Sequence, residues 1–145
     1  MEYRAVGNRC AVDIDALRLP ITRHAALAIL ATKGFRVVAV DFVTLARSRI
    51  GISEYRRGAR TTEAPGVIDC SSFVRWIYGQ RGIWLPRRSI QQRALGAVVL
   101  RDDIIAGDLV FASGHIDYYL DDPARGVGHV GIATNERTII HAANR

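Results

Sequence analysis

The strongest constraint on this chain is a change of period near Gly82. Before it, apolar residues recur at helical spacing, in stretches that begin at Thr22, Asp41 and Asp69. After it, short apolar runs alternate with turn residues, as strands require. Helices first and antiparallel strands last argue for an α+β domain. With 145 residues, 49% of them hydrophobic, the chain has enough apolar side chain to build a sizeable core.

The first helical stretch, Thr22 to Lys33, is alanine-rich, with Thr22 as its cap and Gly34 as its stop, and Phe35 to Val40 reads as a strand. Residues 1–40 therefore form a small α/β extension, free to pack on the core, block a cleft or supply a missing strand. His24 on that helix is read as a surface or core histidine. The second helix runs from Asp41, its cap, to Gly51, with Phe42, Leu45 and Ala46 on one face. A loop from Ser53 to Gly66 leads to the third, in which Asp69 is the cap, Phe73, Val74 and Ile77 form the apolar face, and Gly82 is the stop.

Pro86 prevents that helix from continuing. Ser89 to Ala94 is expected to form a helical turn at best, and Val98 to Leu100 a brief strand. Asp108 to Ala112 is a clearer strand, entered through the Ala106-Gly107 turn. Ser113 to Gly128 is a loop that carries His115, Asp117 and Tyr118-Tyr119, with the first two read as solvated. His129 to Thr134 and Thr138 to Ala143 are the closing strands.

Cys70 is the residue with chemical potential. It falls in the first turn of the third helix, where unpaired N–H groups and the positive dipole end favour thiolate, the nucleophilic form. The alternative is a small buried hydrophobe. Cys10 and Cys70 are the only cysteines and lack zinc-site spacing, so neither a metal nor a cofactor is expected, and a disulfide between them would consume the thiol. The net charge of +6 favours anionic partners, but the basic residues are scattered and form no nucleic-acid-binding motif. No apolar run approaches the roughly 20 residues of a membrane span. Nor do the first ten residues hold the apolar core of a signal peptide.

The closing strands determine whether two histidines meet. If Asn135, Glu136 and Arg137 form a three-residue loop, Thr134 faces Thr138 and Gly131 faces His141. His129 and His141 then share a face as diagonal neighbours, with Gly131 leaving room beside the rings. A two-residue turn at Asn135-Glu136 would send them to opposite faces, and that pair is a poor two-residue turn. The odd loop is therefore expected, giving a base, His129, and a second imidazole able to fix its tautomer.

An ordered series of short motifs now resembles the NlpC/P60 cysteine peptidases. The series is Asp69-Cys-Ser-Ser-Phe73, Leu85-Pro-Arg87 followed by Gln91-Gln92, Ala106-Gly-Asp-Leu-Val-Phe111, His129-Val-Gly-Ile132 and Ile140-His-Ala142. The resemblance implies a papain-like fold over residues 41–145, helices packed on a small antiparallel sheet with the catalytic cysteine at a helix N-terminus, and residues 1–40 as an extension. By the same resemblance Cys70 is the nucleophile, His129 the general base and His141 the polar residue that orients it. Tyr55 lies beside the active site, while Asp69 and Ser71 match positions that help bind the amino end of a stem peptide. The implied activity is hydrolysis of the γ-D-glutamyl to diamino-acid link in peptidoglycan stems, in the wall, periplasm or extracellular space. Peptidoglycan is the expected partner, rather than nucleic acid. Another Cys–His amidase or acyltransferase, or an inactive wall-binding module, remain the rival readings. Ser72 stands where the family usually has glycine, which crowds the backbone after the nucleophile and bears on the oxyanion hole.

Overall fold

The computed structural model describes residues 2–5, 11–15, 17–38, 41–121, 125–135 and 137–144. They fall into two compact units, Met1–Asp41 with Tyr78–Trp84, and Phe42–Ile77 with Leu85–Arg145.

The first unit begins with strands β1 (Glu2–Ala5) and β2 (Ala11–Asp13), followed by helix α1 (Arg23–Thr32) and strand β3 (Phe35–Val38). The sheet order is β2-β1-β3, antiparallel throughout, with Tyr3 opposite both Val12 and Val37. Thr22 caps α1 as its sequence suggested, its hydroxyl oxygen accepting the Ala25 N–H at 3.2 Å. Ile14 and Ala26 form a small core against Leu27, Leu30 and Phe35. His24 is exposed. The β1–β2 pair escaped the sequence reading because Glu-Tyr-Arg-Ala and Ala-Val-Asp are too short and mixed to show a period of two. The last two residues expected in the following strand, Ala39 and Val40, lie outside the described residues.

In the second unit, helix α2 (Phe42–Arg47) buries Ala46 and is shorter than expected. The Arg49 and Ile50 N–H groups reach back only three residues, to the carbonyls of Ala46 and Arg47, so the helix tightens into turns before Gly51. Strand β4 (Glu54–Tyr55) pairs in parallel with β5 (Val67–Ile68), placing Tyr55 beside Ile68. The stretch expected to be only a loop thus carries a crossover, braced where Glu63 accepts both the Arg56 guanidinium and the Arg60 N–H.

Helix α3 (Cys70–Gly79) buries Phe73, Val74 and Ile77, the face its spacing indicated. Helix α4 (Ser89–Leu95) is a true helix rather than a single turn. Ile90 and Gln92 are buried, and the Gln92 amide donates to the carbonyls of Ser71 at 3.0 Å and Pro86 at 2.9 Å, which fixes the helix against the head of α3. Val98 to Leu100 is not a strand. Val98 is 90% exposed, and the Leu100 carbonyl instead accepts Asp103 N–H to open a 3₁₀ turn at Arg101–Asp103.

The last three strands are β6 (Leu109–Ala112), β7 (His129–Ala133) and β8 (Ile139–Ile140), in the order β6-β7-β8 and antiparallel. Opposed pairs are Ala112 and His129, Ile132 and Ile140, and Ala133 and Ile139. The last two give the odd-loop register, and Arg137 takes the left-handed conformation, φ 55°, that ends a three-residue loop. The expectation of one small antiparallel sheet needs correction. The described residues form three sheets, one of them parallel, because the crossover between β4 and β5 returns the chain in the same direction.

Between Ser113 and Gly128 the described residues bond one another across the loop. Tyr118 and Val127 bond each other through both backbone groups, and Asp117 accepts the Gly114 N–H at 2.7 Å, so this side chain braces the loop rather than merely facing solvent. His115 is exposed. Gly128 is required there, since a Cβ would stand 2.5 Å from the Ile116 carbonyl oxygen and 2.7 Å from the Gly114 nitrogen.

Candidate active site

Cys70 is the first residue of α3, set by a reciprocal cap. The Asp69 carboxylate accepts the Ser72 N–H at 2.8 Å, while the Ser72 hydroxyl accepts the Asp69 N–H at 2.8 Å. This is a capping box in which serine takes the place usually held by Glu or Gln. Ser72 is 1% exposed. Its side chain is therefore directed into the helix start, and that is the use this chain makes of a position where glycine was expected.

Burial, followed by the charge of Asp69, pushes the Cys70 thiol above its ordinary value of 9.0. The backbone N–H groups of Val130 and Ser71, and the Arg87 guanidinium, pull it part of the way back. This outcome differs from the sequence expectation of a thiolate favoured by the helix N-terminus. Desolvation and the adjacent Asp69 carboxylate both work against the charged form at this helix start. The same interactions place the sulfur against Val130 in β7, one residue past His129.

His129 and His141 meet as the hairpin register requires. Their nitrogens Nε2 and Nδ1 are 2.9 Å apart, and the rings stand edge to face with centroids 4.9 Å apart. Gly131 makes the space, since a Cβ there would lie 3.1 Å from His141 Cβ and 3.1 Å from the Ile140 carbonyl oxygen. Burial, then the neighbouring His141, holds His129 below the ordinary imidazole value of 6.5. With Nε2 committed to His141, Nδ1 is the nitrogen of His129 left to accept a proton.

Tyr55 is held in β4 by its pairing beside Ile68. Burial raises its phenol above 10.0, and the charges of Cys70 and Asp69 add to that effect. Asp69 is occupied by protein donors: Oδ1 accepts from Ser72 N–H, Ser71 Oγ at 3.3 Å and Arg87 Nη1 at 3.1 Å, and Oδ2 from Gly58 N–H at 3.1 Å and Arg87 Nη2. Burial alone would raise this carboxyl, but the Arg87 and Ser72 bonds hold it below its ordinary value of 3.8. Ser71 Oγ also accepts Arg87 Nη1, at 2.8 Å. Arg87 belongs to the Leu85-Pro-Arg87 motif, but nothing local in the sequence links it to a carboxylate 18 positions earlier. Among the described residues, no group of three or more His, Cys, Asp or Glu is arranged to hold a metal ion. Nor is any described helix long and apolar enough to cross a membrane.

The fold and these motifs together define a known class. A family model described as the NlpC/P60 family matches residues 52–145, and the chain belongs to that family. A probable endopeptidase of Corynebacterium glutamicum is 39% identical over 102 residues, which cover 70% of this chain and 42% of the relative. A gamma-DL-glutamyl hydrolase of Bacillus subtilis is 31% identical over 105 residues, covering 72% of this chain and 23% of the relative. The chain thus spans less than half the length of either relative. Among solved structures, an NlpC protein of Trichomonas vaginalis superposes with a TM-score of 0.55 at 22% identity, over 77% of this chain and 41% of that one. An NLP/P60-family protein of Staphylococcus aureus does so with a TM-score of 0.53 at 20% identity, over 86% and 42%. Both support the fold.

Proposed function

We propose that this chain is a cysteine peptidase that hydrolyses amide bonds in peptidoglycan stem peptides, of the γ-D-glutamyl to diamino-acid type. One observation carries the reading: the sulfur of the cysteine that opens α3 lies against β7 one residue past a histidine whose far nitrogen is tied to a second histidine. The names of the relatives, probable endopeptidase and gamma-DL-glutamyl hydrolase, favour this bond class.

In the proposed cycle both groups begin neutral. His129 donates its Nε2 hydrogen to His141 Nδ1, which leaves Nδ1 of His129 to take the Cys70 proton as the sulfur attacks the scissile carbonyl. Backbone N–H groups at the head of α3 hold the developing oxyanion. The imidazolium then protonates the leaving amine, a thioester remains on Cys70, and His129 deprotonates the water that cleaves it, releasing the carboxylate and restoring the thiol. Tyr55, Asp69 and Ser71 form the polar wall along which the amino side of the stem lies. Asp69 contributes there through its charge, its oxygens being already met by protein donors.

The test is digestion of purified peptidoglycan and of a defined stem peptide, read by mass spectrometry. The parent should release fragments ending at the D-glutamyl carboxylate and Cys70→Ala none; equal hydrolysis by the two would overturn the proposal. His129→Ala should be nearly as damaging, since nucleophile and base act as a unit.

A further inference from the structure

The carboxylate of Asp69 meets two opposing demands. It caps α3 through Ser72 N–H and ties down the preceding loop through Gly58 N–H. Yet it is the residue next to the thiol, where a fixed negative charge opposes formation of a thiolate. Arg87 is built to reconcile them. Its Nη1 donates to Asp69 Oδ1 at 3.1 Å and Ser71 Oγ at 2.8 Å, and its Nη2 donates to Asp69 Oδ2 and, at 2.6 Å, to the Ala59 carbonyl. The pair is largely withdrawn from water, with side-chain exposures of 32% for Arg87 and 9% for Asp69. One planar guanidinium thus spans both carboxylate oxygens, the residue after the nucleophile and the loop that leads from β4, a task its forked geometry suits and a lysine's single ammonium does not.

We propose that Arg87 is a positioning residue for Cys70, holding the Asp69 carboxylate charge-balanced while anchoring the first turn of α3. It acts through Asp69 and Ser71. Other titratable groups are Tyr55 on β4, whose phenol feels the Cys70 charge, and the His129–His141 pair, His129 being the residue before Val130, whose N–H lowers the thiol. The inference rests on Cys70 being the nucleophile of the proposed peptidase, but the thiol's own acid–base behaviour tests it whether or not a peptide is cut.

The experiment is the pH dependence of iodoacetamide alkylation at Cys70 in the full chain, read by peptide mass spectrometry so that Cys10 is counted separately, alongside a urea midpoint for each variant. Arg87→Gln should move the alkylation midpoint to higher pH by about one unit, the lower end of the effect of a nearby opposite charge. Arg87→Lys should move it by less. Asp69→Asn, which retains a capping oxygen, should move it to lower pH, and the double variant Arg87→Gln with Asp69→Asn should return it toward the parent. A purely structural role predicts lost stability with an unmoved midpoint. That result in Arg87→Gln would overturn the proposal. Should Arg87→Gln fail to fold, Asp69→Asn decides instead, and an unshifted midpoint there overturns the proposal equally.

Discussion

His129 Nε2 lies 2.9 Å from His141 Nδ1 across the β7–β8 hairpin, with the two rings edge to face. If that bond sets the tautomer of the base, its loss should affect the chemical step more than substrate binding. His141→Ala is expected to lower kcat by about 10- to 100-fold with little change in KM, in keeping with the 10²–10⁴-fold usually supplied by general acid–base catalysis. His141→Asn, which keeps an acceptor, should recover part of the loss. Steady-state kinetics on a stem peptide decides it, and a KM-only effect would remove His141 from the mechanism.

Acid–base behaviour provides a second prediction. His129 must be neutral to take the thiol proton, and its pKa is lowered, so activity should persist as pH falls to 6.5 and decline only below it. The Cys70 thiol is raised, so its alkylation by iodoacetamide should climb steadily with pH and reach its midpoint above 9.0. A preformed thiolate–imidazolium pair would instead give fast, pH-independent alkylation across neutrality. Such a plateau would refute the neutral resting state.

Gly131 is the third test, because it is where packing and site geometry coincide. A methyl group there must displace His141 Cβ or the Ile140 carbonyl, each 3.1 Å from the new atom, and the latter is backbone in a strand. Gly131→Ala should therefore cost about 1–3 kcal/mol, the usual range for overpacking, and should lower kcat by displacing the second imidazole. A urea midpoint equal to the parent's would show that the seat is looser than the distances indicate.

The parts of this site that could be read from the chain are those set by local rules. Asp69 as cap, the Phe73, Val74 and Ile77 face of α3, and the three-residue hairpin loop all follow from spacing within a dozen residues, and the hairpin parity was enough to bring His129 to His141. What escaped depends on distant partners. The parallel pairing of Glu54-Tyr55 with Val67-Ile68 has too few residues to show a period, and the Arg87–Asp69 pair joins positions that no local pattern connects. For Cys70, the helix N-terminus is visible in sequence, whereas burial and the opposed effects of Asp69 and Arg87, which set the direction of the thiol's shift, are not. Val98 to Leu100 shows the converse, a strand-like composition that found no partner strand among the described residues.

Tyr55 can be separated from the fold. Its phenol is raised by burial and by the Cys70 and Asp69 charges, while β4 is held by backbone bonds such as Glu54 N–H to the Gly66 carbonyl at 2.8 Å. Tyr55→Phe should thus leave the melting temperature within about a degree and reduce kcat/KM by about 3- to 10-fold, the worth of one hydrogen bond of roughly 0.5–1.5 kcal/mol. An unchanged kcat/KM would make Tyr55 a packed aromatic with no part in binding.

Ser72 offers the sharpest separation of stability from catalysis. Its hydroxyl accepts the buried Asp69 N–H and completes the cap, so Ser72→Gly, which installs the residue more usual in the family, removes that acceptor and adds backbone freedom at the head of α3. The expected cost is about 1–2 kcal/mol, typical of a lost cap, visible as a lower urea midpoint. Because the side chain is directed into the helix start and not at the Cys70 sulfur, kcat/KM on a stem peptide should stay within about threefold of the parent, far less than the 10²–10³-fold effect of losing an oxyanion donor. If Ser72→Gly instead raised kcat tenfold or more, the hydroxymethyl group would be obstructing the oxyanion, and the serine would be a brake on the chemistry as well as a cap.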